Sequence, residues 1–179
     1  MLKSILAFIM SLIVSLTGFF GNLGSFFSFE KEGDRYYEAY LPEAKENAST
    51  YDSMIYEVLT QTNIARAEKG LSALALDPKL TEQACVRAAE IASKGVLSHT
   101  RPNGQPWSSV FDLNGFHGSR GENIAMGYTS AKEVCDGWKN SEGHYENMIN
   151  RDYGYMGVGI APCADGMGFV FVQHFFGKA

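Results

Sequence analysis

The sequence predicts an α+β fold in which helices come first and strands last. Three observations carry this. Apolar residues recur at three- and four-residue steps in three stretches, near 54–62, 80–91 and 131–138. Two β-rich runs, Met156–Ile160 and Phe169–Phe176, close the chain around a Cys-Ala-Asp-Gly turn. Strands and helices do not alternate as βαβ units, so an antiparallel sheet covered by helices is expected.

The chain begins differently. From Ser4 to Phe29 no residue is charged, and one lysine, Lys3, precedes the run. Two readings of residues 1–29 stand side by side. One is a signal peptide, whose best small-residue cleavage site is Ser15-Leu16-Thr17. The other is a retained membrane anchor. Both place the rest of the chain outside the membrane, secreted or anchored at its outer face. Residues 30–50 are charged and read as a tether, or as a short amphipathic helix packed on the domain. The domain itself is expected over 51–179.

Within it, the first helix carries Met54, Ile55, Val58, Leu59 and Thr62 on one face, with Gly70 beyond its end. The second opens on Asp77 as N-cap and Pro78 as first helical residue. Leu80, Ala84, Ala88 and Ile91 form its buried stripe, and Gly95 closes it. Residues 98–121 are rich in Gly, Pro, Asn and Ser; so long a loop in a small domain is usually functional. A third helix starts at a capping box, Ser130 and Glu133. It buries Ala131, Val134, Cys135 and Trp138 and is expected to stop at Gly143. The last run, Phe169–Phe176, is apolar on both faces and reads as a central strand.

Composition narrows the partners. The 179 residues carry a formal net charge of −5 without a long basic run, so a nucleic-acid partner is not expected. Three cysteines, Cys85, Cys135 and Cys163, allow three pairings and leave one thiol over. Cys85 and Cys135 lie on apolar helix faces, where cysteine is usually a small buried hydrophobe.

Few residues can do chemistry. His99 follows the second helix, Glu122 sits in GENIA, and His144 follows Gly143 with Glu142 two positions before it. Two imidazoles and a carboxylate are ligands that Zn²⁺ accepts, and the same trio could do acid–base work. The spacing alone is not diagnostic, because neither HExxH nor a tight His pair is present. Trp138 reads as core, Asn123 as a turn-tying amide and His117 as exposed. His174 reads as half-buried near the sheet, at the border of any cleft.

Four segments together resemble a known family: SHTRPNGQPW, GENIAMG, the W-x-x-S-x-G-H of Trp138 to His144, and GVG followed by FVQHFF. In this order they are similar to the CAP superfamily (cysteine-rich secretory proteins, antigen 5 and pathogenesis-related 1; the SCP domain), and to its small bacterial secreted or spore-associated members. The resemblance implies a three-layer α-β-α sandwich with a central antiparallel sheet. It also implies a cleft lined by two His and two acidic residues, which binds Zn²⁺ or another divalent metal in some relatives. By position, His99 and His144 match the cleft histidines, the metal ligands of those relatives, and Glu122 the first acid. The fourth position departs: Ser141 stands where many relatives carry Glu. Glu142 lies about 100° further round a helix.

The resemblance implies an extracellular binding module rather than an enzyme, with a lipid, glycan or peptide in the cleft. The alternative is a metal-assisted, peptidase-like hydrolase with Glu122 as general base. It would use water as nucleophile, since no GxSxG pattern is present.

Overall fold

The structure is a computed structural model and describes residues 35–177. The apolar segment expected at 1–29, and the first residues of the expected tether, lie outside the described residues. No helix among the described residues is long and apolar enough to cross a membrane.

Helix α1 covers residues 35–50. Tyr37, Leu41, Ala44 and Ala48 recur at i, i+4, i+7 and i+11, which puts them on one face. That face packs on Leu80, Cys85 and Val86 of α3 (Pro78–Lys94) and on Val110 and Phe111 of α4 (Ser109–Leu113). From Tyr37 onward, the stretch expected as a tether is therefore part of the domain. It takes the packed-helix alternative.

Helix α2 (Asp52–Ala67) buries Ile55, Val58, Thr62 and Ala65. The two-residue strand β1 (Ala75–Leu76) leads into α3. Asp77 caps α3 by accepting from the N–H groups of Lys79 and Leu80, each at 2.9 Å. Gly95 ends it in the left-handed conformation, φ 62°.

Strand β2 (Ser119–Tyr128) was not anticipated. Its first residues, Ser-Arg-Gly-Glu-Asn, are poor strand formers. It is a strand because β4 supplies its ladder. Helix α5 (Ala131–Lys139) starts at the expected cap, with the Ser130 hydroxyl accepting from Glu133 N–H at 3.3 Å. The Glu133 carboxylate also accepts from Thr129 N–H and Oγ1. The expected stop at Gly143 is wrong. Helix α5 ends at Lys139, and a separate helix α6 (Glu142–Met148) contains Gly143 and His144 in its first turn.

Strands β3 (Tyr155–Pro162) and β4 (Phe169–Gly177) form the expected hairpin. The sheet order is β1-β3-β4-β2, with β4 internal. The three longer strands are antiparallel, while β1 pairs with β3 in parallel, so the sheet is mixed.

Side-chain alternation sorts the layers. Met156, Val158, Ile160, Phe171 and Phe175 face α2 and α5. Val170 and Val172, with Ile124, face α3. This is the three-layer α-β-α sandwich. Gly157 and Gly159 set the spacing on the α3 side. A Cβ on Gly157 would lie 2.1 Å from the Leu80 carbonyl carbon, and one on Gly159 2.0 Å from the Ala84 oxygen. The α3 backbone rests directly on β3.

Candidate functional site

Helix α3 carries a polar stripe inside a buried face. Gln83, Arg87 and Glu90, at i, i+4 and i+7, are all fully buried. They meet Glu122 of β2 and His174 of β4, which are direct cross-strand partners. Arg87 Nε donates to Glu122 Oε2 at 3.0 Å, and Nη1 to Glu90 Oε2 at 2.8 Å. Arg101, also buried, donates to both oxygens of Glu90. Two guanidinium groups thus balance two carboxylates inside the domain, the condition under which buried charge is tolerated.

This cluster fixes the loop that bears His99. Arg87 Nη2 donates to the Ser98 carbonyl at 3.0 Å, and Arg101 Nη1 to Ser109 Oγ at 2.8 Å. Thr100 and Pro106 form a small bridge. His99 Nδ1 lies 2.8 Å from Glu122 Oε1, while half of its side chain stays exposed.

The hydrogen bonds assign the tautomers. An ionised carboxylate only accepts, so His99 Nδ1 and His174 Nε2 both carry protons toward Glu122. His174 Nδ1 accepts from Gln83 Nε2 at 3.2 Å. His174 is therefore neutral, and full burial holds its pKa down. Burial alone would raise Glu122. The bonds from His174 and His99 and the charge of Arg87 outweigh it and hold the carboxyl below the usual range. His99 Nε2 is not used in this bond.

The other face of β2 places His144. Asn123 Nδ2 donates to the His144 carbonyl at 2.9 Å and to Gln173 Oε1 at 3.0 Å. Asn147 Nδ2 donates back to Asn123 Oδ1 at 2.9 Å. Gln173 Nε2 donates to Thr62 Oγ1 at 2.8 Å. Asn123 is thus a strand residue that locks α6 to the sheet, not a turn residue. Arg66 holds the far end of α6 through the Met148 and Asn150 carbonyls.

His144 and Ser141 line a groove of about 350 Å³ with Leu97, Met126, Tyr128 and Trp138. The pKa of His144 is lowered by burial and by the nearby charge of His99. Trp138 is core as expected, yet its buried indole Nε1 has no hydrogen-bond partner among the described residues. Glu142 is exposed and does not line the groove. His117 is exposed near Asp112. His174 is fully buried rather than half-buried.

The structure thus brings His99 to Glu122 and sets His144 with Ser141. Sequence reading missed Gln83, Arg87, Glu90 and Arg101. The available signal was a polar i, i+4, i+7 row interrupting an Ala-rich buried helix.

The donors fit a divalent metal poorly. Both Glu122 oxygens are engaged by Arg87, His99 and His174. The two imidazoles alone fall short of the three protein ligands usual for catalytic zinc. Among the described residues no group of three or more His, Cys, Asp or Glu is arranged to hold a metal ion. All three cysteines are unpaired and buried.

Comparison with known proteins gives consistent results. The family model described as the cysteine-rich secretory protein family (CAP) matches residues 59–175. The uncharacterised protein YkwD of Bacillus subtilis is 31% identical over 136 residues, covering 75% of this chain and 50% of its own. The human Golgi-associated plant pathogenesis-related protein 1 is 31% identical over 135 residues, covering 66% and 80%. Among solved structures, an extracellular SCP-domain protein from Bacillus anthracis superposes with a TM-score of 0.64 at 26% identity. That match covers 71% of this chain and 41% of the other. The chain thus spans half of YkwD and less than half of the Bacillus anthracis chain.

Proposed function

The chain belongs to the CAP family, and on that premise we propose that its domain is a binding module whose groove at Ser141 and His144 holds a lipid, glycan or peptide ligand. One observation carries this reading. The His144 ring and the Ser141 hydroxyl line the groove, and neither has a hydrogen-bond partner among the described residues. His99, held by Glu122, stands close enough to influence His144. A concave, mostly apolar lining with a few fixed polar groups is what small-ligand sites present.

Glu122 is a positioning residue in this reading. Its oxygens are committed to Arg87, His99 and His174, and its depressed pKa makes it a weak base. That disfavours the hydrolase alternative, which needs this carboxylate to take a proton from water. Similarity to an extracellular Bacillus anthracis protein supports an extracellular or surface location.

The test is nuclear magnetic resonance mapping with a short lipid, an oligosaccharide and a peptide. Shifts should cluster at Ser141 and His144, and Ser141→Ala with His144→Ala should weaken binding by about tenfold or more. Turnover of peptide or ester substrates, abolished by Glu122→Gln in a folded protein, would overturn the binding reading. Calorimetry with Zn²⁺ provides a separate check on the metal.

A further inference from the structure

Strand β2 lies at the edge of the sheet. Two independent contacts show which of its backbone groups point outward. Asn147 Nδ2 donates to the Glu122 carbonyl at 3.4 Å from outside the sheet. On β4, the Phe176 carbonyl accepts from Gly154 N–H, on the side away from β2. Backbone direction alternates along a strand, so Phe175, Gln173 and Phe171 bond toward β2. Their partners are Gly121, Asn123 and Ala125. The N–H and C=O groups of Glu122, Ile124 and Met126 therefore face away from the sheet.

Those of Ile124 and Met126 have no partner among the described residues. They open into the groove already described, whose lining includes Ile124, Ala125 and Met126. The open stretch is bounded at both ends. Asn147 occupies the edge at Glu122, and Gly127 (φ 89°), with the register shift between Met126 and Tyr128, ends it at the other side. A run of unpaired, correctly spaced donors and acceptors inside a groove is a template for an added strand.

We infer that the edge of β2 at Ile124–Met126 takes up a short extended peptide as a fifth strand. The inference rests on the binding reading above and specifies its ligand. Up to four main-chain hydrogen bonds form, from the N–H and C=O of Ile124 and of Met126. Side chains of the added strand alternate in direction. One set lies against Leu97 and Met126 and is apolar. The other lies toward Ser141 and His144, and carries an acceptor.

The probe is acetyl-Ser-Val-Asn-Val-Ser-amide, titrated into the full chain. Two analogues are compared, one N-methylated at the second and fourth residues, the other at the third. Strand pairing uses alternate amides only, so one analogue loses affinity by about tenfold or more while the other changes little. The amides of Ile124 and Met126 also exchange more slowly in the complex. Equal affinity of all three peptides shows side-chain recognition alone and overturns the inference, leaving the groove as the site. No binding of the parent peptide up to about 1 mM overturns the inference as well. The lipid and oligosaccharide titrations then decide the broader reading.

Discussion

Glu122 and His174 face one another across the β2–β4 ladder, and the carboxylate accepts an imidazole N–H hydrogen bond from each side: from His174 within the core and from His99 at the surface. A single buried acid thereby connects the interior to the loop that bears His99. Arg87 neutralises it and also holds the loop that bears His99.

Arg87→Leu should destabilise the domain by about 3–5 kcal/mol, because it leaves Glu90 and Glu122 buried with too little positive charge. Urea denaturation measures it. A loss under about 1 kcal/mol would show that the cluster is hydrated in solution.

Acid should weaken the fold in two stages. His174 has a depressed native pKa, so the unfolded chain binds the extra proton first. Stability is therefore full above the unfolded value of about 6.5 and declines as pH falls below it. Glu122, also depressed, adds a second loss that begins below about pH 4.3. His174→Gln keeps a donor for Glu122 and should flatten the first stage alone. Urea midpoints measured from pH 8 to 4 decide it; an unchanged slope in the variant would assign the first stage elsewhere.

Two glycines should respond oppositely. Gly159→Ala places a methyl 2.0 Å from the Ala84 oxygen and should cost about 3 kcal/mol or prevent folding. Gly143→Ala lies inside α6 with nothing within 4 Å and should stabilise by about 0.5–1 kcal/mol. Thermal melts of both variants test the helix–strand contact and the α6 boundary together.

Burial pushes the Cys85 thiol up to about 11 and the Cys135 thiol up to about 12. Neither should react with a disulfide reagent at pH 8 in the native state, since the thiolate is the nucleophile. Labelling of either site should follow the global unfolding rate. Rapid modification of Cys135 in native protein would contradict its placement between α2 and α5.

Sequence periodicity served well where a residue's neighbours in the chain determine its environment. The caps at Asp77 and Ser130 and the stripe ending at Trp138 are local features, and all three hold. Strand β2 was hidden because its pairing partner lies about fifty residues downstream, and Glu122↔His174 is visible only after β4 is placed. The α5–α6 break was hidden for a different reason. Gly143 reads as a stop, yet α5 ends earlier, and Asn123 and Arg66 hold α6 from outside the segment. For the site, residue type and position singled out His99, Glu122 and His144, and the family resemblance joined them in one cleft. The α3 charges that hold Glu122 and the His99 loop showed only as the polar row of Gln83, Arg87 and Glu90 on an Ala-rich helix.

The stretch matched by the family model starts at residue 59, but the compact unit that contains it starts at Tyr37. A truncated protein trimmed to the homologous core would lose α1 and uncover Leu80, Val86 and Phe111, a greasy scar on its flank. Such a fragment would self-associate during purification, and its poor behaviour would reflect where it was cut rather than any native tendency to form multimers.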